Sequence, residues 1–533
     1  MMQPSFIVCS LVFLATCDPT SSWAEGESTP TPSIETVLSP SPERTDAELT
    51  PQTWFREGEL TPCGASLISL LERADEEGLD SHLYHPILTA VRNRTAETSL
   101  SLLANVLTRA LTHYLSWIQG VRPNLRAFDS TTHIDPQTPD MNRLVNQVIC
   151  GNLPEGVYLG PQNPQYGLLK RALGRFLQEK AQGGWPTNLP ESLSVKEGES
   201  HPALITLRAQ LQGQGYPLDA PLDPRRFDQG VRQALRLFQL DHDLDPSGRL
   251  NPNTIKELNT PVDKRIETLR ANLERWRWLP SFSSGRMIVV NIPTYQLWMF
   301  DSNQPVGSSP IVVGKTTRQT PSFATSFSFL TLNPSWTAPR SLALAKQFPT
   351  FLKTPEKAAA YQVISNQTKE VIPSEQINWK TAESQGFPYI LRLKPGVGNP
   401  LGSIRFTIPN GFSIYMHGSP DVQLFRQQKR AFSWGCIRIY DPLMVAAFAL
   451  DNTQWTKDSL DQSIKTQKTK TIRPKEKIPV VVGYWTAWGS TDGRIHFPVD
   501  IYQKDAQVLR ALKTHLKTSA QILPENSRDA FPE

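Results

Sequence analysis

The hydrophobic period of this chain changes at Gly285, and that change limits what it can fold into. Upstream, apolar residues recur at helical spacing. Leu67, Leu70, Leu71 and Ala74 form one stripe, with Gly78 as a stop. Leu103, Val106, Leu107, Ala110, Leu111, Tyr114 and Leu115 form a second, and 166–180 gives a third. Downstream, 286–300, 309–315, 329–336, 404–408 and 413–417 read as strands. Segments 480–488 and 493–502 predict a hairpin around Thr491-Asp492-Gly493. Between them 342–386 is irregular and polar, unlike a sheet, which predicts a lid-like insertion at about 340–395. A single core seldom grows past about 250–300 residues, so 533 residues call for several domains. The expected fold class is multidomain α+β: a helical N-terminal scaffold, a small three-helix module, and a mostly-β catalytic domain with a lid-like insertion.

The N-terminus reads as an export signal. Phe6–Ala15 is apolar but too short to span a bilayer, and Ser22-Trp23-Ala24 offers a small-x-small cleavage site before Glu25. The alternative is lipidation at Cys17, because Leu14-Ala15-Thr16-Cys17 resembles an imperfect lipoprotein processing site. Residues 25–52, rich in Ser, Thr, Pro and Glu, form a flexible linker. Net charge is only +5, with a basic tract at Lys465–Lys477, which favours a polyanionic envelope surface. No recognition-helix pattern, zinc-finger spacing or RNP-like motif is present, so nucleic acid is not an expected partner.

Five cysteines do not make a disulfide framework. Cys63 and Cys150 are a candidate pair after export, worth at most about 4–5 kcal/mol in the chain-entropy model; two buried free thiols are the other reading. His82 and His85 have a spacing that suits a metal on a helix. Their turn-like SHLYHP context lacks a carboxylate partner, so they read as solvated and no metal is expected.

Residues 202–259 form a compact helical unit. Val231, Leu235 and Phe238 make a buried helix face, Asp245-Pro246-Ser247-Gly248 a turn, and Ile255 and Leu258 the inward side of a following helix. Segment 265–280 then reads as an interdomain helix, with Trp276 and Trp278 as its anchors rather than as carbohydrate-stacking platforms.

Chemistry concentrates at Cys436. An unactivated thiol is only about 3% thiolate at neutral pH. Lowering its pKa by about 1.5 is worth about 2 kcal/mol, within reach of one imidazole. His417 sits at the end of a strand, and the loop beyond it can return Cys436 to its side, giving a Cys–His pair for acyl transfer. Gly435 leaves its own amide and that of Cys436 open to a developing oxyanion. Arg438 can grip a substrate carboxylate with two prongs. A buried structural cysteine with a surface arginine is the competing reading.

The residues His417-Gly418, Ser433, Gly435, Cys436, Ile437 and Arg438 resemble the catalytic motif of the YkuD-type L,D-transpeptidases. Segments 310–323, 332–343, 393–420 and 478–505 resemble the long YcbB-like branch of that family. Within 202–259, Phe238, Gln239, Leu244, Gly248, Leu250, Thr254, Leu258 and Asn259 resemble the peptidoglycan-binding type 1 repeat. Taken with the readings above, the resemblance divides the chain into a signal peptide at 1–24, a scaffold at 53–200, a peptidoglycan-binding-like domain at 201–260, a linking helix at 261–284, a catalytic domain at 285–505 and a tail at 506–533.

It further implies a periplasmic, cofactor-free cysteine acyltransferase that builds the cell wall and maintains cell shape. Cys436 would attack the third residue of a tetrapeptide stem and release D-Ala. His417 would carry protons, and amides at Gly435 and Cys436 would hold the oxyanion. A second stem's amine would resolve the thioester into a 3→3 cross-link. Gly418 would orient His417, while Tyr415, Arg438, Ser433 and Trp434 would line the site. Trp434 stands where many relatives carry histidine. Expected partners are donor and acceptor stem peptides and other cell-wall synthases, with a monomer as the expected state. An L,D-carboxypeptidase, or a wall-binding scaffold without catalysis, are the alternatives.

Overall fold

The computed structural model describes residues 50–519, apart from 96–97, 123, 136–138, 143, 146–159, 162, 281–284, 385, 397 and 452–453. The export signal, linker residues 25–49 and Cys150 lie outside the described residues, as do Cys9 and Cys17; the last two expected linker residues, Pro51 and Gln52, instead open the short helix Pro51–Trp54.

The helical half is built from amphipathic stripes. Helices Pro62–Glu72, His85–Arg92 and Leu100–Ile118 bury their apolar faces in one core. Thr61 and Ser99 cap two of them, each accepting from an amide three residues on. His82 and His85 lie exposed beside this core. Helix Pro164–Ala181 leaves that core and packs on the linking helix instead. Segment 505–519, expected as tail, is a helix whose Val508 and Leu512 complete the scaffold core.

The small module is three helices, Ala203–Gly213, Gln229–Asp241 and Pro252–Leu258, around its own core. Its signature residues hold the fold together. The buried Gln239 amide donates to Arg249 O (2.8 Å) and Thr254 Oγ1 (3.1 Å) and accepts from the Gly248 amide (2.7 Å). Gly248 has φ +68°, a left-handed turn position that only glycine takes without strain.

The linking helix Val262–Arg277 is where the parts join. Trp276 stacks on Trp485 with centroids 4.4 Å apart, and Trp278 donates to Glu274 at 2.8 Å. Both tryptophans are buried anchors, as their interleaving with charge predicted.

Strands dominate after Gly285, and among the described residues eleven of them join one scaffold strand in a twelve-stranded sheet. Its order runs from Lys470–Ile472 through Phe329–Leu332, Ile404–Thr407, Met416–His417, Ile437–Ile439, Gln304–Gly314, Gln296–Asp301, Met287–Asn291 and Ile478–Gly483 to Ser322–Phe327 and scaffold residues Thr132–His133; Ala431–Ser433 pairs beside Gln304–Gly314. Strands Ser322–Phe327 and Phe329–Leu332 lie near opposite ends of that order, yet only Ser328 separates them in sequence. The sheet must therefore curl until its ends meet, enclosing a core of Ile288, Val290, Ile311, Phe406, Met416, Ile437 and their neighbours. Strand Ile478–Gly483 is a central member of this sheet. The expected hairpin shrinks to Trp488–Gly489 with Ile495–His496.

The insertion departs from expectation. Trp336–Thr337, Tyr361–Ser365, Val371–Ile372 and Tyr389–Leu393 form a four-stranded sheet with its own aromatic core of Phe348, Phe351, Trp379 and Phe387. Its strands are at most five residues long, and its aromatics sit mostly on intervening helical turns. Neither period can establish itself over such lengths.

Candidate active site

Pairing register fixes which side chains meet. Strands Met416–His417 and Ile437–Ile439 run parallel, with Met416 opposite Ile437 and His417 opposite Arg438. Met416 and Ile437 point into the enclosed core. Side chains alternate across a strand, so His417, Tyr415, Cys436 and Arg438 share the other face. On the far side of His417, Arg405 is its direct partner across strand Ile404–Thr407. The imidazole thus lies between two arginines in one cross-strand row.

Cys436 is a half-buried free thiol. Burial pushes its pKa up. Hydrogen bonds from the Tyr415 amide and hydroxyl and the Arg438 charge pull it back without cancelling the rise. His417 is lowered to about 4, first by burial and then by Arg438. Carbonyls of Gly418, Leu401 and Pro400 oppose that shift. The resting site is therefore a neutral thiol and a neutral imidazole, not the thiolate expected from the sequence. Nδ1 of His417 donates to Gly418 O at 2.5 Å, which leaves Nε2 as the basic nitrogen.

Tyr415 couples the site to the insertion. Its ring packs on the insertion's core, 5.7 Å from the His417 ring. Its phenol is pushed up to about 12 by burial and the neighbouring Cys436, and it accepts a hydrogen bond from Trp336.

The nucleophile turn is braced from behind. Ser433 Oγ donates to Cys436 O (2.6 Å) and accepts from the Gly435 amide (3.0 Å). Thr320 Oγ1 donates to Gly435 O at 2.8 Å, and Tyr502 bonds to both Thr320 and Gly314. Gly435 has φ +112°, where a side chain would strain the turn. Ser433 is thus a buried brace rather than a substrate contact, and it occupies the Gly435 amide. No hydrogen bond engages the Cys436 amide among the described residues. Trp434 is 49% exposed, with Lys315 and Arg318 over its ring at 4.9 and 5.3 Å. Arg438 gives one arm to Asp421 at 3.2 Å.

Four contributors escaped the sequence reading of roles. Asn399 accepts from the Leu401 amide (2.9 Å) and donates to Pro334 O (2.8 Å), shaping the turn that brings the Pro400 and Leu401 carbonyls to His417. Gly402 lets that turn lie against Gly418, because a Cβ there would come within 2.9 Å of backbone. Arg405 gave no signal beyond a polar residue in an alternating strand, and Thr320 none beyond one more polar residue in the run Lys315–Thr320. Among the described residues no group of three His, Cys, Asp or Glu is placed to hold a metal. None of their helices is long and apolar enough to cross a membrane.

Three segments of the chain match models of known domain families. Residues 285–456 match YkuD, described as "L,D-transpeptidase catalytic domain". Residues 51–173 match "Scaffold domain", and 200–258 match "Putative peptidoglycan binding domain". A Haemophilus influenzae protein named "Putative L,D-transpeptidase" is 31% identical over 244 residues, 45% of this chain and 49% of that protein. The chain thus spans about half the length of that curated relative. A solved L,D-transpeptidase from Xylanimonas cellulosilytica aligns over 55% of this chain and 100% of its own, at 12% identity and TM-score 0.16.

Proposed function

We propose that the chain forms 3→3 cross-links between peptidoglycan stems through a thioester on Cys436, in the periplasm after export; the matches of 285–456 to an L,D-transpeptidase catalytic domain and of 200–258 to a putative peptidoglycan binding domain support this reading. The observation that carries this reading is register: Cys436 and His417 occupy one face of adjacent parallel strands.

The chemistry runs in two halves. Sγ of Cys436 bonds to the carbonyl carbon of the third stem residue as Nε2 of His417 takes the thiol proton. The Cys436 amide donates to the oxyanion. Collapse breaks the peptide bond to D-Ala, whose amine leaves with the proton from His417. The amine of a second stem then attacks the thioester, passes a proton through His417 to Sγ, and completes the cross-link.

Proton transfer from thiol to imidazole is uphill in the resting site. Arg405 and Arg438 flank His417, and the Arg438 charge adds to burial in holding back its protonation. A stem carboxylate that neutralises Arg438 would raise the imidazole's basicity when substrate arrives. The insertion packs on Tyr415 over the nucleophile, and exclusion of water favours an amine acceptor over hydrolysis. Product analysis tests the reading. Purified tetrapeptide muropeptides should yield cross-linked dimers, whereas trimmed tripeptides alone would make the protein a carboxypeptidase.

A pH profile is also expected. Carbapenem acylation of Cys436 should be flat from about pH 5 to 8 and fall as His417 protonates near 4. An unfolded histidine titrates near 6.5. The depressed native value therefore contributes stability that is complete above about 6.5 and lost as pH falls towards 4, at most about 3 kcal/mol. Rates of adduct formation by intact mass across that range check the first statement; an inflection near 6.5 would contradict it.

A further inference from the structure

Of the residues that mark the peptidoglycan-binding repeat, Phe238, Gln239, Gly248, Thr254, Leu258 and Asn259 serve the module's own core and hydrogen bonds. The binding surface must therefore be sought elsewhere. A cavity of about 590 Å³ opens between the module and the catalytic domain. Asp245 and Asn253 line it from one side, and Tyr295, Gln428, Lys429 and Val499 from the other.

Its walls are fixed against each other. Asp243 accepts from the Val499 amide (3.2 Å), contacts His496 Nε2 (3.0 Å), and offers its carbonyl to Gln428. Asp241 accepts from Arg494 at 2.6 Å, and its carbonyl takes the Phe497 amide at 2.6 Å. His242 stacks on Phe497 with centroids 5.6 Å apart. A cleft held this way is preorganised, so a ligand meets little ordering cost.

We infer that this cleft binds the glycan backbone of the cell-wall polymer, a chain of N-acylated hexosamines, and presents its stems to Cys436; this rests on the function proposed above. Three observations point to sugar. The lining mixes apolar surface from Leu244, Ile501 and Val499 with Asn, Gln and Asp groups, which matches the apolar faces and hydroxyl edges of pyranose rings. Its charge is sparse: Asp243 is engaged, leaving Asp245 against Lys429, whereas an acidic stem peptide finds its counter-charges at Arg405 and Arg438 beside His417. Finally, Lys429 lies only seven positions before Cys436, so their backbones lie within roughly 25 Å of each other. A glycan held in the cleft keeps its stems at high local concentration near the nucleophile.

Titration of the full chain with a soluble N-acetylglucosamine tetramer, followed by calorimetry, tests the inference. The unaltered protein should bind it, and Asp245→Ala/Asn253→Ala should lose about tenfold or more in affinity. Lys429→Ala, at an exposed position, should weaken binding in the same direction. Carbapenem acylation of Cys436 should stay unchanged in all three proteins, which shows that the variants fold. No saccharide binding, unchanged affinity in the variants, or displacement of the saccharide by free tetrapeptide would overturn the inference. Failure of acylation with saccharide binding intact would strike the proposed chemistry instead.

Discussion

Cys436→Ala is expected to abolish acylation by a tetrapeptide donor or a carbapenem, a loss of roughly four orders of magnitude or more. Covalent catalysis needs an atom that can form and release an acyl bond, and no second nucleophile stands in the His417, Tyr415, Arg405, Arg438 cluster. The fold should survive. The methyl of alanine fits the place of the sulfur, and Tyr415 keeps its partner Trp336 and its packing against the insertion. The change in stability is then about 1 kcal/mol or less. Cys436→Ser should be nearly as inactive. A base lowered to about 4 is mismatched even to a thiol and far more so to an alcohol. Intact mass after incubation with donor checks all of this. A covalent adduct on the alanine variant would remove Cys436 from the chemistry.

The site was legible where identity alone carries chemistry. Cysteine after glycine, histidine before glycine and arginine two residues on are unusual choices, and the strand ending at His417 could be read from alternation. What alternation could not give was register across nonadjacent strands. Arg405 sits in IRFT, where it looks like one more outward polar residue, and only pairing places it beside His417. Asn399 and Gly402 act through backbone carbonyls and close approach, which leave no mark of purpose in a side chain. Thr320 and Tyr502 meet across 182 positions of sequence. Ser433 was misread for a related reason: a hydroxyl beside a nucleophile suggests substrate, but burial and two backbone bonds turn it inward. The helical stripes were legible because each is long enough to repeat several times. The insertion's strands are not.

The largest effect on stability is expected far from the nucleophile, at Glu274→Ala. This carboxylate is fully buried and accepts from Arg122 Nε and Nη2 at 2.8 Å each and from Trp278 Nε1 at 2.8 Å, with Arg277 at 3.5 Å. Burial alone would raise its pKa, but Arg122, Arg277 and these hydrogen bonds hold it below the usual carboxylate range. Removing it leaves two guanidinium groups in the interior, of which Arg122 keeps carbonyls and the Trp117 and Phe128 rings at 4.3 and 5.9 Å but no counter-charge. Loss of one partner from a buried pair costs about 3–5 kcal/mol. Arg122→Met/Glu274→Met should recover part of that loss, because it takes out the stranded charge as well, while Arg277 retains Tyr166 at 2.8 Å and the Glu77 carbonyl. Urea midpoints of the single and double variants decide the matter. A double variant less stable than either single would mean that packing, rather than charge, holds the linking helix to the scaffold. The predicted ordering identifies the ion cluster as the joint through which the helical half supports the curled sheet.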